Sequence, residues 1–594
     1  MQYARSRLST LLFLFLLVTL TACSNFASIS HTNQPGTNHA QASPTRSNQP
    51  VPLDLGIPQQ ALQEVALSPL PDSTPMHVVI SFKLNTSLLS KLAANPRMRA
   101  GQSIDVRSLA NQVGITDQEY QQMQQFFGGP GITLHLHKLH TSMTLDAPAS
   151  ILANQLHTHF LYHTYHGVMF YAPSPTVILP ASIAPLIQAI SGLDSYSKYQ
   201  NPTDSMHLQP LKASLNNDGC VNDNDVLIPQ QVSQAYGLTS LYEKGWTGKG
   251  TTIVLPEFAS FSQSDVQFYL NCEGYRGKLK VVNVDNTPPK EEDIEADLDI
   301  EMAAGLAPDA NIVVYQTDSG SNYNNFWQKF QDVFNKISDD YSSHSQPVMV
   351  SVSWGDTEGF LTYNMLKSID NTLETLTTVE HVNVFAASGD CGAYDSRDYP
   401  NTLNVGFPSS DPYVVGVGGT FLYVDNQGNR TREVAWDEDP AKHPTCDNAW
   451  GSGGGLSSVF PRPAWQQGYA GIQNKYSNSY RQIPDISASA YYDSVYVGGQ
   501  WYYSGGTSAA APIWSAGYAL VEQGLVSTTG YYVAGPGILY TLARQYASDK
   551  PFYDVQKGNN LYYPATAGWD FATGLGTPNM HGIYKGLVQF VQNT

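Results

Sequence analysis

Charge is scarce in this chain, and positive charge is scarcer: Asp, Glu, Lys and Arg make up 14% of 594 residues, with 31 Lys and Arg against 50 Asp and Glu. A nucleic-acid binder needs a basic patch to neutralise phosphates, and a net charge of -19 excludes that class. The same balance suits an extracytoplasmic, acid-tolerant protein, because a surface poor in Lys–carboxylate pairs loses little when carboxylates take up protons. Cysteine is rare as well, and no Cys-x-x-Cys occurs, so a structural zinc is not expected. Long apolar runs are missing except for Leu8 to Leu20, which follows Arg5 and Arg7 and is too short to span a membrane. It reads as the core of a signal peptide. Histidine thins out toward the C-terminus: after residue 220 only His344, His381, His443 and His581 remain, none in a helix-initiating His-Gly-Thr context. A Ser-His-Asp enzyme of the subtilisin type would therefore lack its base.

The apolar run ends in Leu20-Thr21-Ala22-Cys23, which resembles the lipobox of bacterial lipoproteins. Plain secretion is the rival reading, but Leu20 fits the small-x-small cleavage rule poorly, so residues 1–23 are taken as a signal peptide with lipobox. With Cys23 set aside, Cys220, Cys272, Cys391 and Cys446 suggest two disulfides in an exported protein, with three connectivities open. Residues 24–52, rich in Ser, Thr, Asn, Gln and Pro, form a disordered tether. Residues 53–200 mix strand-like HVVISFKL and ITLHLHKL with helical patterns around Ser87 to Ala94 and Asp117 to Phe127. Residues 201–224 have the composition of a linker. From 225 to 594, apolar runs such as TTIVLPEF, NIVVYQ, VMVSVSW, VNVFAAS and YVVGVGG alternate with helical stretches. That alternation predicts an α/β fold with a mostly parallel, doubly wound sheet, preceded by a smaller α+β domain. The phosphate-like stretch Gly245 to Thr251 precedes a strand and lacks Walker spacing, so it is a turn.

Candidate chemistry begins at Ser508, in SGGTSAAAPIW. A Gly-rich turn capping an Ala-rich helix is the bland account. A serine on the first turn of a helix also sits where backbone N–H groups and the helix dipole favour an anion, as a nucleophile and its oxyanion require. Carboxylates are placed to serve it. Glu291 to Gly305 reads as a helix, with Gly305 as its stop and Pro308 just beyond; Glu295 and Asp299, four apart, share one face. A solvated acidic helix start would produce the same pattern. Asp390 follows the strand VNVFAAS, at the carboxyl ends of the strands where ligands bind in a doubly wound sheet.

Glu295-x-x-x-Asp299, Ser388-Gly389-Asp390 and Gly506-Thr507-Ser508-x-x-x-Pro512, in this order, resemble the signatures of the sedolisin (serine-carboxyl peptidase) family, kumamolisin-like members in particular. Ser452 to Gly455, Arg462 to Trp465 and Val350 to Gly355 strengthen the match. So do Leu179-Pro180 and Gly192-Leu193-Asp194, which resemble the end of the family's activation prodomain. The resemblance implies a subtilisin-like catalytic domain with Ser508 as nucleophile, Glu295 as general base, Asp299 orienting it and Asp390 in the oxyanion hole. It also matches Glu257 and Trp354 to a supporting network. One calcium ion is implied near the C-terminus, held by Asp554 and Asp570 with the carbonyls of Val555, Thr566 and Gly568.

The function implied is an acid-acting endopeptidase made as a self-processing precursor. A tripeptidyl exopeptidase of the same family and a non-catalytic peptide-binding surface lipoprotein are the alternatives. Its partners are protein or peptide substrates and its own prodomain as inhibitor, with no nucleic acid, the membrane reached only through Cys23, and a monomeric state. Seven of the fifteen histidines lie between His135 and His166, with His135 and His137 on one face of a strand. No cysteine or carboxylate pattern accompanies them in sequence, so a polar face is as good a reading as a metal site. Neutral histidines at the contact between the two domains would gain charge between about pH 7 and 5 and loosen it, although new charge beside carboxylates would tighten it instead.

Overall fold

The apolar runs between the helical stretches become strands buried on both faces, as an all-parallel core requires. The computed structural model describes residues 49–593 apart from 64–66, 200–207, 212–214, 222–225, 321–324, 396–401 and 439–449. Cys23 and the 24–48 part of the tether therefore lie outside the described residues, as does most of the linker. Among the described residues no helix is long and apolar enough to cross a membrane.

In the N-terminal layer, β1 (Pro75–Phe82) and α1 (Thr86–Ala93) are followed by α2 (Asp117–Phe127), β2 (Thr133–Leu136), β3 (Ser142–Pro148) and β4 (Ile187–Ser191). The four strands pair antiparallel in the order β2-β3-β1-β4. Helix α2 starts at a reciprocal capping box between Thr116 and Glu119, which is why its start was legible. The strand expected over ITLHLHKL stops at Leu136. The chain turns at His137–His140, where the His140 N–H donates to the His137 carbonyl at 2.9 Å.

The C-terminal region holds β5 (Thr252–Glu257), α3 (Gln263–Cys272), β6 (Leu279–Asn283), α4 (Ile294–Leu306), β7 (Asn311–Gln316), α5 (Phe326–Tyr341), β8 (Val348–Val352), α6 (Tyr363–Glu374), β9 (Asn383–Ala387), β10 (Val415–Val424) and β11 (Arg430–Ala435). After these come β12 (Ile486–Ser489), β13 (Tyr491–Val497), β14 (Gln500–Gly505) and α7 (Thr507–Thr529). The main sheet runs β6-β7-β5-β8-β9-β10-β11, with β12 also on β10; only β11 is antiparallel. Alternation along each strand builds two cores. Ile253, Met349 and Phe385 pack toward α4 and α7, while Val254, Val350 and Val384 pack toward α5 and α6. The stretch Gly245 to Thr251 leads into β5, as a turn should.

Helix α4 corrects one reading. It does not stop at Gly305 but continues to Leu306, with Ala307 as its cap. Gly305 serves close packing instead: a Cβ there would come within 2.7 Å of Pro229 Cγ and 2.9 Å of the Tyr269 hydroxyl.

Of the linker, Gln209 and Pro210 pair antiparallel with Tyr503 and Tyr502 at the edge of β14. Cys220 and Cys272 form a disulfide, which ties the linker's C-terminal part to the end of α3. Cys391 is also disulfide-bonded, and Cys446 lies outside the described residues. The N-terminal sheet lies on α5 and α6: the Ser81 and Ser368 hydroxyls meet at 2.7 Å, and the Ser191 hydroxyl donates to Gln331 Oε1 at 2.7 Å.

Candidate active site

Helix α7 crosses the middle of the domain with both faces buried, and Ser508 is on its first turn, 7% exposed. Gly506 precedes it at φ +123°, a conformation that L side chains rarely adopt, and a Cβ there would stand 2.9 Å from Asp390 Oδ2. The glycine is therefore what lets the Asp390 carboxyl approach the helix start.

Helix α4 delivers the other carboxyls. Asp293 caps it by accepting the N–H of Glu295 at 3.1 Å, and Glu295 and Asp299 follow one turn apart. The solvated-helix account fails here: Glu295, Asp297, Asp299 and Glu301 are 6%, 2%, 0% and 0% exposed. Two of them serve the opposite side of the helix. Asp297 accepts the Ser262 N–H at 3.1 Å and Glu301 that of Tyr496 at 2.8 Å.

Glu295 and Asp299 belong to a buried chain of carboxyls. Burial pushes the Glu295 carboxyl far above the ordinary range, the charge of Asp299 adds to it, and the nearby Ser508 hydroxyl opposes the rise by hydrogen bonding. Burial and the charge of Glu257 do the same to Asp299, while the Ser353 hydroxyl, donating to Asp299 Oδ1 at 2.7 Å, pulls it back. Glu257, at the end of β5, accepts the Trp354 indole N–H at 2.7 Å, and burial pushes its carboxyl well above the ordinary range. Glu295 Oε1, Asp299 Oδ2 and Glu257 Oε1 are buried without short hydrogen bonds, as active-site contacts often are until substrate closes them.

Asp390, in the turn after β9, is raised by burial, and Thr507 opposes this. The Thr507 N–H and hydroxyl both donate to Oδ1, at 2.7 and 2.8 Å, which leaves Oδ2 to carry a proton. Thr507 also accepts the Gly389 N–H at 3.1 Å, so it locks the turn to the helix start. Sequence reasoning quoted Thr507 and Ser353 within motifs and gave neither a role. Only folding brings their hydroxyls to Asp390 and Asp299. Among the described residues, which leave out His443, no histidine intrudes: His344 and His381 bond backbone carbonyls elsewhere.

At the C-terminal loop, Asp570 Oδ2 accepts the Thr566 N–H at 2.7 Å, and Asp554 Oδ2 accepts the Gly568 N–H at 3.2 Å. Both carboxylates thus face the 566–568 segment, with Val555 buried beside Asp554. Gly568 has φ +80° whereas Thr566 is not among the positive-φ residues, so threonine is unstrained where it stands. The two carboxylates are the oxygen chemistry that a hard cation such as Ca²⁺ takes, although the contacts drawn to them here come from the N–H groups of Thr566 and Gly568.

The expectation that histidines stand at the contact between the two layers is met by two of them. Those that face the C-terminal region each meet an aspartate of α5. His137 Nδ1 lies 2.9 Å from Asp339 Oδ2, and His77, outside the cluster singled out in sequence, lies between Asp332 at 2.8 Å and Asp146 at 2.6 Å. Burial works against a charged His77, but hydrogen bonds and charge from Asp146 and Asp332 outweigh it and push its pKa up to about 10. A released histidine titrates near 6.5, so this clamp contributes fully below about pH 6.5 and is lost as pH rises through about 10. Acid removes it only from the carboxylate side: despite burial, His77 and Lys329 hold Asp332 below its ordinary range. In the uncut protein, His77→Ala is expected to cost roughly 1.5–3 kcal/mol near neutrality and far less above about pH 10, read as melting temperature against pH.

What stands in place of a histidine base is carboxyl chemistry, and on a subtilisin-like α/β sheet that makes the protein a serine-carboxyl peptidase. The Subtilase family pattern matches residues 284–535. Kumamolisin of Bacillus sp. (strain MN-32) is 29% identical over 491 residues, covering 78% of this chain and 82% of its own. Sedolisin of Pseudomonas sp. (strain 101) is 24% identical over 534 residues, covering 84% and 85%. The solved structure of Pseudomonas sedolisin, a serine-carboxyl proteinase complexed with two molecules of pseudo-iodotyrostatin, shares the fold with a TM-score of 0.53 at 24% identity, over 62% of this chain and 98% of that one. Relatives named tripeptidyl-peptidases are also among the matches. The chain is thus similar to peptidases of the sedolisin type over most of its length.

Proposed function

We propose that the protein is an endopeptidase that hydrolyses peptide bonds through an acyl-enzyme on Ser508. The observation that carries this reading is the buried line from the Ser508 hydroxyl through Glu295 and Asp299 to Glu257. Glu295 takes the Ser508 proton as Oγ bonds to the scissile carbonyl carbon, whose π electrons move to oxygen. Asp390, protonated at Oδ2, donates to that oxyanion. Collapse re-forms the carbonyl and breaks the C–N bond, with the Glu295 proton going to the departing amine. Water, deprotonated by Glu295, then releases the acid and restores the serine. Asp390 donates only while it keeps its proton, so activity is expected at acid pH and to fall as that proton is lost.

The N-terminal layer, residues 53–200, is the inhibitor of the precursor, and self-processing in the 201–224 linker separates it from the peptidase at 225–594. With His77 clamped between Asp146 and Asp332, release depends on cutting the linker, and acid weakens this clamp by protonating Asp332. If Cys23 carries lipid, the cut leaves the inhibitor on the membrane side. Assay of the purified protein from about pH 3 to 7 on denatured protein, and on paired peptides with free and blocked N-termini, tests the reading. Cleavage of the blocked peptide is expected; cleavage of the free one alone, three residues at a time, identifies a tripeptidyl peptidase.

One calcium ion held by Asp554, Asp570 and the carbonyls of Val555, Thr566 and Gly568 would supply structural cross-linking of this loop and no step of catalysis. At a hundred times its dissociation constant it would stabilise the fold by about 2.7 kcal/mol. Asp570→Ala, or strong chelation of the parent, is expected to lower the melting temperature by several degrees. An unchanged curve with no metal by elemental analysis removes the site.

A further inference from the structure

His135, in β2, and His137, in the turn just beyond it, have ring centroids 5.0 Å apart. The carboxylate that the sequence did not place beside them comes from α5. Asp339 Oδ2 lies 2.9 Å from His137 Nδ1 and 3.7 Å from His135 Nε2, and the three donor atoms fall within 4.8 Å of one another. Two ligands on one tetrahedral zinc, each about 2.0–2.1 Å from the ion, are about 3.3 Å apart, so these separations close on an ion with small shifts. We propose that His135, His137 and Asp339 bind one borderline transition-metal ion, Zn²⁺ by preference, which bridges the N-terminal layer to helix α5.

The donors choose the metal. Two imidazoles and one carboxylate suit zinc and its neighbours and are a poor set for calcium or magnesium. Asp339 is already oriented, because its Oδ1 accepts the Lys138 N–H at 2.8 Å, the outer-shell contact that ligating carboxylates commonly have. The side chains of His137 and Asp339 are 12% and 14% exposed, whereas His135 is 63% exposed and gives the ion its way in. Three protein ligands leave a fourth position for water. The charged neighbours are Lys138, whose ammonium donates to the Asp339 carbonyl at 2.6 Å, and the buried Glu380, which feels both. His137 Nε2 is buried without a partner and takes the proton that the ion displaces from Nδ1, so the affinity is expected to be micromolar and not nanomolar.

The ligands come from both sides of the contact, so the site exists only while the N-terminal layer is attached. An ion at a hundred times its dissociation constant shifts the attached-to-released ratio about 100-fold toward attachment. The regulatory consequence rests on the N-terminal layer being the inhibitor; metal binding does not.

The full-length Ser508→Ala protein, unable to cut itself and kept in excess Ca²⁺, is titrated at neutral pH with Co²⁺ and then Zn²⁺. One equivalent of Co²⁺ is expected to give the visible bands of a four-coordinate ion, displaced by Zn²⁺, and Zn²⁺ to raise the melting temperature. His135→Ala, at an exposed position that folding does not need, and Asp339→Asn should lose both responses; His159→Ala should keep them. Absence of the bands, or bands that survive His135→Ala and Asp339→Asn, overturns the site. In the parent protein Zn²⁺ should slow processing, and slowing that His135→Ala does not relieve overturns the clamp even where binding stands.

Discussion

Ser508→Ala is expected to lower kcat/KM for a peptide substrate by about 10⁶ and to leave the precursor uncut, because members of a nucleophile–base unit fail together. Glu295→Gln should lose at least about 10⁴, since an amide can neither take the Ser508 proton nor return it to the amine. The two losses should not add in the double variant. Removing Ser508 already removes the only proton Glu295 handles in the first step. The fold should survive Glu295→Gln: the carboxyl is buried and raised by its surroundings, so a neutral isostere relieves like charge and need not disturb α4. Circular dichroism together with an active-site titration separates loss of chemistry from loss of structure. Full activity in either single variant would remove the assignment.

Asp390→Ala is expected to lower turnover on the order of 10²–10³, the usual cost of removing one oxyanion donor, with KM little changed. Asp390→Asn distinguishes a proton donor from a negative charge. An amide presents N–H where the protonated carboxyl presents O–H, so part of the activity should return, and the dependence on pH that belongs to Asp390 should vanish. Were the residue acting as an anion, Asn would be no better than Ala. Thr507→Val is the companion test. It removes one of the two donors that hold Asp390 Oδ1, and the effect should appear as a shifted pH profile and not as a uniform loss.

Much of this was legible because local chemistry and tertiary demand agree. The strands of the parallel sheet are apolar runs without alternation, which burial on both faces imposes, and α2 announces itself by its capping box. The i, i+4 spacing of Glu295 and Asp299 gave a shared face. It could not say whether that face met solvent or a core. Burial of all four carboxyls of α4 depends on α3, β13 and α7 packing around it, which no local pattern encodes. Gly305 misled for the same reason: glycine is the common helix stop, but here it answers to Pro229 and Tyr269, distant in sequence. The histidines were visible as a cluster, but the carboxylate that His135 and His137 meet, Asp339, lies about two hundred residues away on α5. His77 lay outside the cluster altogether.

The central claim is that a carboxyl-activated serine becomes covalently acylated. It is tested most directly by quenching the active protein with denaturant at acid pH during steady turnover of a chromogenic peptide, then mapping the adduct by peptide mass spectrometry. The account predicts an acyl group on Ser508 in the parent protein and none in Glu295→Gln. An adduct on any other residue, or full turnover with no covalent species trapped, would contradict it.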